Sequence, residues 1–284
     1  MTGNRHALRI AVIWLVLTVV GMVLVATVLA PHLPPGGAST EAAGQRRDNE
    51  VLTLVSVPII ALILVFLGYV LVVFRERGPA RSEDGPSIRG NMRVQTAWVT
   101  ITSLTVLALA AFGTYELLGG AGGGQGSHPV FVPSEPVSAA GVQDPPLQVQ
   151  VIAQQWQFTY RYPDEGGFET AHLVLPVNQQ IELHVTSLDA IHSFWAYGLG
   201  VKADANPGVD NVAYVTPKKT GTFNIHCAEL CGLFHGYMFD TGQVVSPAAF
   251  SAWVKTQRVF MAPVARYLPP YSTTYLPDPQ VRGG

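Results

Sequence analysis

Three stretches of the chain run without a charged residue for long enough to cross a membrane: Ile10 to Pro31, Val51 to Phe74 and Val94 to Tyr115. A hydrocarbon core takes about 20 apolar residues in helical form, because a helix satisfies its backbone hydrogen bonds internally. The amino-terminal part of the chain is therefore expected to be helices in a lipid bilayer. Composition agrees: 48% of residues are hydrophobic and only 13% charged, against roughly 25% charged in soluble domains. A net charge of -2 and the lack of a basic block exclude nucleic-acid binding.

The first stretch follows Arg5 and Arg9 and so also resembles a signal peptide. It exceeds an h-region of about 7 to 15 residues, and Ala30, the best small residue for cleavage, precedes Pro31, so an uncleaved helix is expected. Arg75, Arg77, Arg81, Arg89 and Arg93 lie between the second and third stretches, and positive charge in short loops marks the cytoplasmic side. Everything after Tyr115 is then outside, whether or not the first helix is removed.

The expected organisation is a first hydrophobic helix (anchor or signal) with an outside loop over 1–50 and a transmembrane hairpin over 51–117. A Gly/Pro-rich linker over 118–146 follows, then a β-domain over 147–260 and an extended Pro-rich tail over 261–284. The linker holds GGAGGGQGS and SEPVSAAGVQDPP, too flexible and too poor in apolar periodicity to pack.

Beyond the linker the hydrophobic period is two. Leu147, Val149 and Val151 alternate with glutamines, Ile181, Leu183 and Val185 with polar residues, and Phe223, Ile225 and Cys227 share one parity. Short strands separated by PVNQQ, ANPG and PKKTG turns predict an antiparallel sandwich or barrel, with one helix over Pro247 to Val259.

The chemistry is concentrated in one segment. His226-Cys-Ala-Glu-Leu-Cys-Gly-Leu-Phe-His-Gly-Tyr-Met238 carries the only two cysteines, Cys227 and Cys231, with His235 and Met238 in C-x3-C-x3-H-x2-M order. Thiolate, imidazole and thioether together favour a soft or borderline metal, and copper accepts all three. A structural zinc site is the first rival, but Met is a rare zinc ligand and the spacing lacks the two pairs of a zinc finger. A Cys227–Cys231 disulfide is the second, since outside compartments are oxidising. A single-copper site uses one Cys, two His and a Met, and here there is one thiol too many. Two thiolates bridging two copper ions, each capped by an imidazole, would use it.

The segment resembles the dinuclear copper A loop of subunit II of haem-copper cytochrome c oxidases, and DAIHSFWAYGLGVKADANPG resembles the family segment that carries the first histidine ligand. The likeness runs from about Glu50 to Val259. It implies a membrane-anchored, cupredoxin-like β-sandwich following the transmembrane helices. Carried onto this chain, it implies that Cys227 and Cys231 bridge two copper ions, His192 and His235 bind one each, Met238 is a weak axial ligand and Glu229 gives its backbone carbonyl. The Glu229 carboxylate is implied to help bind magnesium at the interface with subunit I, against the plainer reading of a solvated loop glutamate.

Gln155-Trp-Gln-Phe-Thr-Tyr160 resembles the family's aromatic patch, in which the first tryptophan, here Trp156, receives electrons from cytochrome c. Without the resemblance an aromatic strand reads as core. Phe158 stands where the family usually has a second tryptophan. Asp189, Asp164, Glu165 and Glu169 are candidates for docking the donor's lysines, the plainer reading for the last three being an ordinary solvated surface. Gln95 stands where many members carry a glutamate at a proton path; glutamine cannot titrate. His172, His184 and His226 fall on polar strand parity and are expected to be solvated.

The resemblance implies an electron-accepting subunit of an oxidoreductase, taking electrons from a c-type cytochrome and passing them to the haems of subunit I, where oxygen is reduced. Its partners are subunit I, other oxidase subunits and the bilayer. The implied location is the bacterial cytoplasmic membrane, multi-pass, with the copper domain on the periplasmic side. The alternatives are the copper A subunit of a nitric oxide reductase and, from another class, a membrane-anchored copper carrier.

Overall fold

The structure is a computed structural model, and it describes residues 3–75, 90–118 and 146–265. Arg77, Arg81 and Arg89, most of the Gly/Pro-rich linker and the tail beyond residue 265 lie outside the described residues. The chain divides into two compact units, one of 1–32 with 49–118 and one of 33–48 with 119–284.

The first unit is helical. It comprises α1 (Gly3–Leu24), continued by a π turn and a short 3-10 turn to His32, most of α2 (Thr40–Val73), and α3 (Met92–Leu118). All three helices are long and apolar enough to cross a membrane. The Trp14 indole N–H donates to the Pro58 carbonyl at 2.8 Å, and His6 Nδ1 lies 2.8 Å from the Tyr69 hydroxyl. A Cβ on Gly21 would stand 2.8 Å from Val57 Cγ1, so α1 and α2 approach closely at this glycine and a larger residue would have to displace Val57.

Among its described residues the second unit holds ten strands: β1 (Leu147–Gln154), β2 (Gln157–Tyr162), β3 (Phe168–Thr170), β4 (Val174–Pro176), β5 (Ile181–Ser187), β6 (His192–Ala196), β7 (Val201–Ala205), β8 (Asn211–Val215), β9 (Gly221–Cys227) and β10 (Phe239–Val245). They form two five-stranded sheets, β3-β2-β1-β5-β8 and β4-β10-β9-β6-β7. One apolar core joins the inner faces: Phe158 of the first sheet meets Phe194 of the second edge to face, with ring centroids 5.7 Å apart.

The sandwich is mixed rather than antiparallel, because β1 pairs with β5 and β10 with β4 in parallel. Alternation tells which face of a strand is buried but is blind to the direction of its neighbour. The expected alternation holds in β9, where Phe223, Ile225 and Cys227 are the buried residues. It fails in β1, whose central position brings burial to both faces and leaves Gln150 only 2% exposed.

Two expected boundaries move. The second helix begins at Thr40, not Val51, because Ser39 caps it: its Oγ accepts the Ala42 N–H at 2.9 Å and donates to the Leu199 carbonyl at 2.6 Å. Residues 33–48 thus belong with the β-domain rather than to a separate outside loop. Gln45 donates to the Gly200 carbonyl, and Glu41 accepts the Thr216 N–H. A Cβ on Gly200 would lie 2.8 Å from Ala42 backbone atoms. At the other end α4 (Pro247–Ala265) runs past 260, through Pro263, where an extended tail was expected. Tyr162, Phe168, Phe250 and Trp253 pack their rings against one another and seat this helix on the sandwich.

Candidate metal centre

His192 opens β6 and Cys227 closes β9; the two strands are antiparallel neighbours, with Phe194 opposite Cys227. Pairing across this ladder carries His192 to Cys227, 35 residues apart in sequence. Past Cys227 the chain turns back through residues 228–238 to β10. Two bonds close that loop: Cys227 N–H to the Met238 carbonyl at 3.0 Å, and Ala228 N–H to the Ser193 carbonyl at 2.9 Å.

Cys227 Sγ lies 3.7 Å from Cys231 Sγ and 3.8 Å from His192 Nδ1, while Cys231 Sγ lies 3.6 Å from His235 Nδ1 and 3.8 Å from Met238 Sδ. Both cysteines are free thiols, so the disulfide reading does not describe this arrangement. Donor atoms about 2.3 Å from one tetrahedral metal stand about 3.8 Å apart, so the spacing suits a metal ion held between them. His192, Cys227 and Cys231 offer atoms that all lie within 4.8 Å of one another, a set that does not include His235. The Glu229 carbonyl accepts from Cys227 Sγ at 3.3 Å, while its side chain is exposed.

His192 is fully buried, with Nε2 2.8 Å from Asp189 Oδ1. That contact assigns the ring proton to Nε2 and leaves the Nδ1 lone pair facing Cys227. Burial works against charge on Asp189, yet hydrogen bonds from Gln155 N–H and the His192 ring outweigh it and hold the carboxyl below the usual range. Burial and the adjacent Cys227 thiol push the Cys231 thiol up. A bound cation reverses that preference, because a coordinating thiol is deprotonated.

Trp156 is half-buried over this loop. Its indole N–H donates to the Cys231 carbonyl at 3.2 Å, and its ring meets Phe234 edge to face at 4.8 Å. Phe158, two residues on, points into the core. Around the buried donors stands an exposed apolar rim of Leu230, Leu233, Phe234, Tyr237 and Phe239.

The candidate docking acids divide. Asp164 is exposed. Glu165 is tied to Arg258 at 2.9 Å. Glu169 is half-buried, and burial raises its carboxyl while Arg161 opposes the rise. Asp189 uses both oxygens inside the protein, one on His192 and one on Gln155 N–H at 2.7 Å. The histidines set aside as solvated also divide. His226 is exposed, and His172 is exposed beside Asp240. His184 corrects the expectation, its side chain only 12% exposed and set between Asp210 and Glu182. The contacts of Gln155 have no periodic signal in the sequence; its only mark is its place beside Trp156.

Residues 168–245 match the family model described as cytochrome C oxidase subunit II, periplasmic domain. The chain is 30% identical over 241 residues to cytochrome c oxidase subunit 2 of Thermostichus vulcanus, covering 72% of this chain and 73% of that one. It belongs to the cytochrome c oxidase subunit II family.

Cytochrome c oxidase subunit 2 of Cereibacter sphaeroides is 27% identical over 250 residues, covering 74% of this chain and 75% of that one. Among solved structures, the periplasmic domain of subunit II of the Bradyrhizobium japonicum oxidase aligns at 35% identity and a TM-score of 0.39, over 40% of this chain and 94% of that one. As a subunit II the protein is part of a haem-copper oxidase, an oxidoreductase complex. It is a membrane protein whose outer domain is a two-sheet β-sandwich, and the His/Cys/Cys group lies in that domain.

Proposed function

We propose that this chain accepts electrons from a c-type cytochrome at a dinuclear copper A centre and delivers them to the haems of a subunit I that reduces oxygen. The observation that carries the reading is the pairing of donors: each thiol has its own imidazole, Cys227 with His192 and Cys231 with His235. One tetrahedral ion needs four donors within about 3.8 Å of one another, and His235 stands outside the group formed by the other three. In this reading the copper pair would be held by the thiolates of Cys227 and Cys231, shared between the two ions, by one imidazole each from His192 and His235, and more weakly by the Met238 thioether and the Glu229 carbonyl. Bound there, a copper pair supplies one-electron storage shared over two metals.

The chain's own residues do the rest. Asp189 fixes the tautomer of His192, as a carboxylate beside a ligating histidine does. Met238, 1% exposed, closes the inner side of the centre and keeps water out. Trp156 offers a half-exposed aromatic face above the loop, where a donor haem can approach. The exposed apolar rim suits protein partners rather than water, with Asp164 and, more weakly, Glu165, Glu169 and Asp189 attracting a basic donor. The Glu229 carboxylate is free to face a magnesium ion shared with subunit I. We place the complex in the bacterial cytoplasmic membrane, with this domain in the periplasm.

The test is a metal count on the full chain in detergent, loaded with copper. Two coppers per chain, with spin resonance showing one electron shared over two nuclei, is the expected result. One copper with a single-nucleus pattern, or zinc retained in preference, overturns it.

A further inference from the structure

The turn between β1 and β2 is the two-residue segment Gln155–Trp156, with Gln154 and Gln157 paired as its closing residues. Trp156 has a proposed role. Gln155 has none beyond this turn, yet it makes two hydrogen bonds that reach the two halves of the donor set.

Its side-chain Nε2 donates to the Cys231 carbonyl at 2.8 Å. The same carbonyl takes the Trp156 indole N–H at 3.2 Å, and its two lone pairs allow both. The tryptophan bond is at the long end of the usual range of about 2.7–3.2 Å; the glutamine bond is the tighter one and fixes the acceptor. Gly232 brings the loop down onto this pair: with φ at +116°, a Cβ there would lie 3.1 Å from Gln155 Nε2 and 3.4 Å from Trp156 Cζ2. The backbone N–H of Gln155 reaches the other half, donating to Asp189 Oδ2 at 2.7 Å, while Asp189 Oδ1 holds His192.

We propose that Gln155 is a positioning residue for electron transfer, pinning Trp156 against Cys231 on one side and tying the turn to His192 on the other. The proposal rests on the reading of Trp156 as the point where electrons arrive. The step is simple: one electron leaves the reduced donor haem and reaches the metal pair, and no bond forms or breaks. Its rate depends on the contact between indole and loop.

The test uses the complete oxidase with a soluble c-type cytochrome as donor and Gln155→Met, which keeps side-chain length, removes the amide donor and leaves the backbone bond to Asp189. Copper content and the copper spin resonance spectrum are expected to stay unchanged. At saturating donor, reduction of the copper centre is expected to slow roughly tenfold, equivalent to about 1.4 kcal/mol, with KM unchanged. Gln155→Glu, which puts a carboxylate against the carbonyl, is expected to slow it further. Independently of activity, the indole hydrogen-bond band of Trp156 in ultraviolet resonance Raman, identified by its loss in Trp156→Phe, is expected to shift in Gln155→Met.

A raised KM with an unchanged limiting rate would make Gln155 a donor contact and overturn the proposal; lost copper would make the residue structural and overturn it too. Trp156→Phe separates the two levels. If it turns over normally, the reading of Trp156 itself fails. If it is slow while Gln155→Met is normal, only the positioning role fails.

Discussion

Of the three histidines of the β-domain that stand beside aspartates, two have shielded rings, His192 with Asp189 at 2.8 Å and His184 with Asp210 at 2.9 Å. What lies on the far side of each ring is different. The second nitrogen of His192 meets the Cys227 sulfur at 3.8 Å inside a fully buried site. That of His184 looks toward the Glu182 carboxylate at 3.6 Å, which also accepts the Tyr214 hydroxyl at 3.0 Å. A carboxylate on one nitrogen orients the ring in both cases. The partner on the other nitrogen decides whether the ring serves a soft metal or a polar network on the sheet.

The comparison breaks most sharply at sulfur. Cys227→Ser removes the soft partner of His192, and the native copper centre is expected to be lost, since a hydroxyl does not replace a bridging thiolate. Glu182→Gln, the matching change beside His184, is expected to leave the copper spectrum intact. Copper content with spin resonance reads both, and a normal spectrum in Cys227→Ser would abolish the distinction.

A smaller effect is expected at the aspartates. Asp189→Asn is expected to weaken copper binding roughly 10- to 100-fold, the usual consequence of removing a carboxylate behind a ligating histidine. Asp210→Asn is expected to leave it unchanged. Competition against a copper chelator measures both; equal affinities would mean that Asp189 is no more than a surface acid.

Met238→Leu sharpens the comparison from the sulfur side. A weak axial ligand tunes a metal more than it holds it, so copper is expected to be retained while the reduction potential moves. The buried swap conserves volume and is expected to cost less than about 1.5 kcal/mol. Potentiometric titration and thermal melts separate the two effects.

The smallest effect is expected at Asp204, which pairs with neither histidine. Hydrogen bonds from Lys202 at 2.9 Å and from Ser193 at 2.7 Å hold its carboxyl below the usual range. A folded value below the unfolded one, about 3.9, gives stability that is fully present above pH 4 and disappears as pH falls through the folded value. Its side chain is 44% exposed, so solvent keeps the contribution under about 1 kcal/mol. Denaturant melts of Asp204→Asn are expected to show a slight loss at pH 7 that vanishes in acid. A loss that grew in acid would reverse the sign.

The candidate centre was more legible in sequence than its surroundings, for a local reason. Cys227, Cys231, His235 and Met238 sit within one loop, so their spacing is visible without a fold. His192 was reachable only through family likeness, because β6–β9 pairing brings it to Cys227. In sequence Asp189 looks like a docking acid; its second partner, Gln155, comes from a different hairpin. Strand parity predicts a solvated His184, yet Asp210 and Glu182 close over it.

The sequence by itself determined that three charge-free stretches form helices, that strands of period two follow, and that two thiols, an imidazole and a thioether converge near Cys227. These features are short-range, and hydrophobic periodicity and ligand spacing carry them directly. Only the tertiary structure decided the parallel pairing of β1 with β5, the attachment of residues 33–48 to the sandwich through Ser39, and the convergence of Gln155, Trp156 and Asp189 on the donor set. Each depends on hydrogen bonds between segments far apart in the chain, such as Gln155 to Cys231 and Ser39 to Leu199. Nothing in the residues flanking either partner specifies such a bond until the sheets have set their distance.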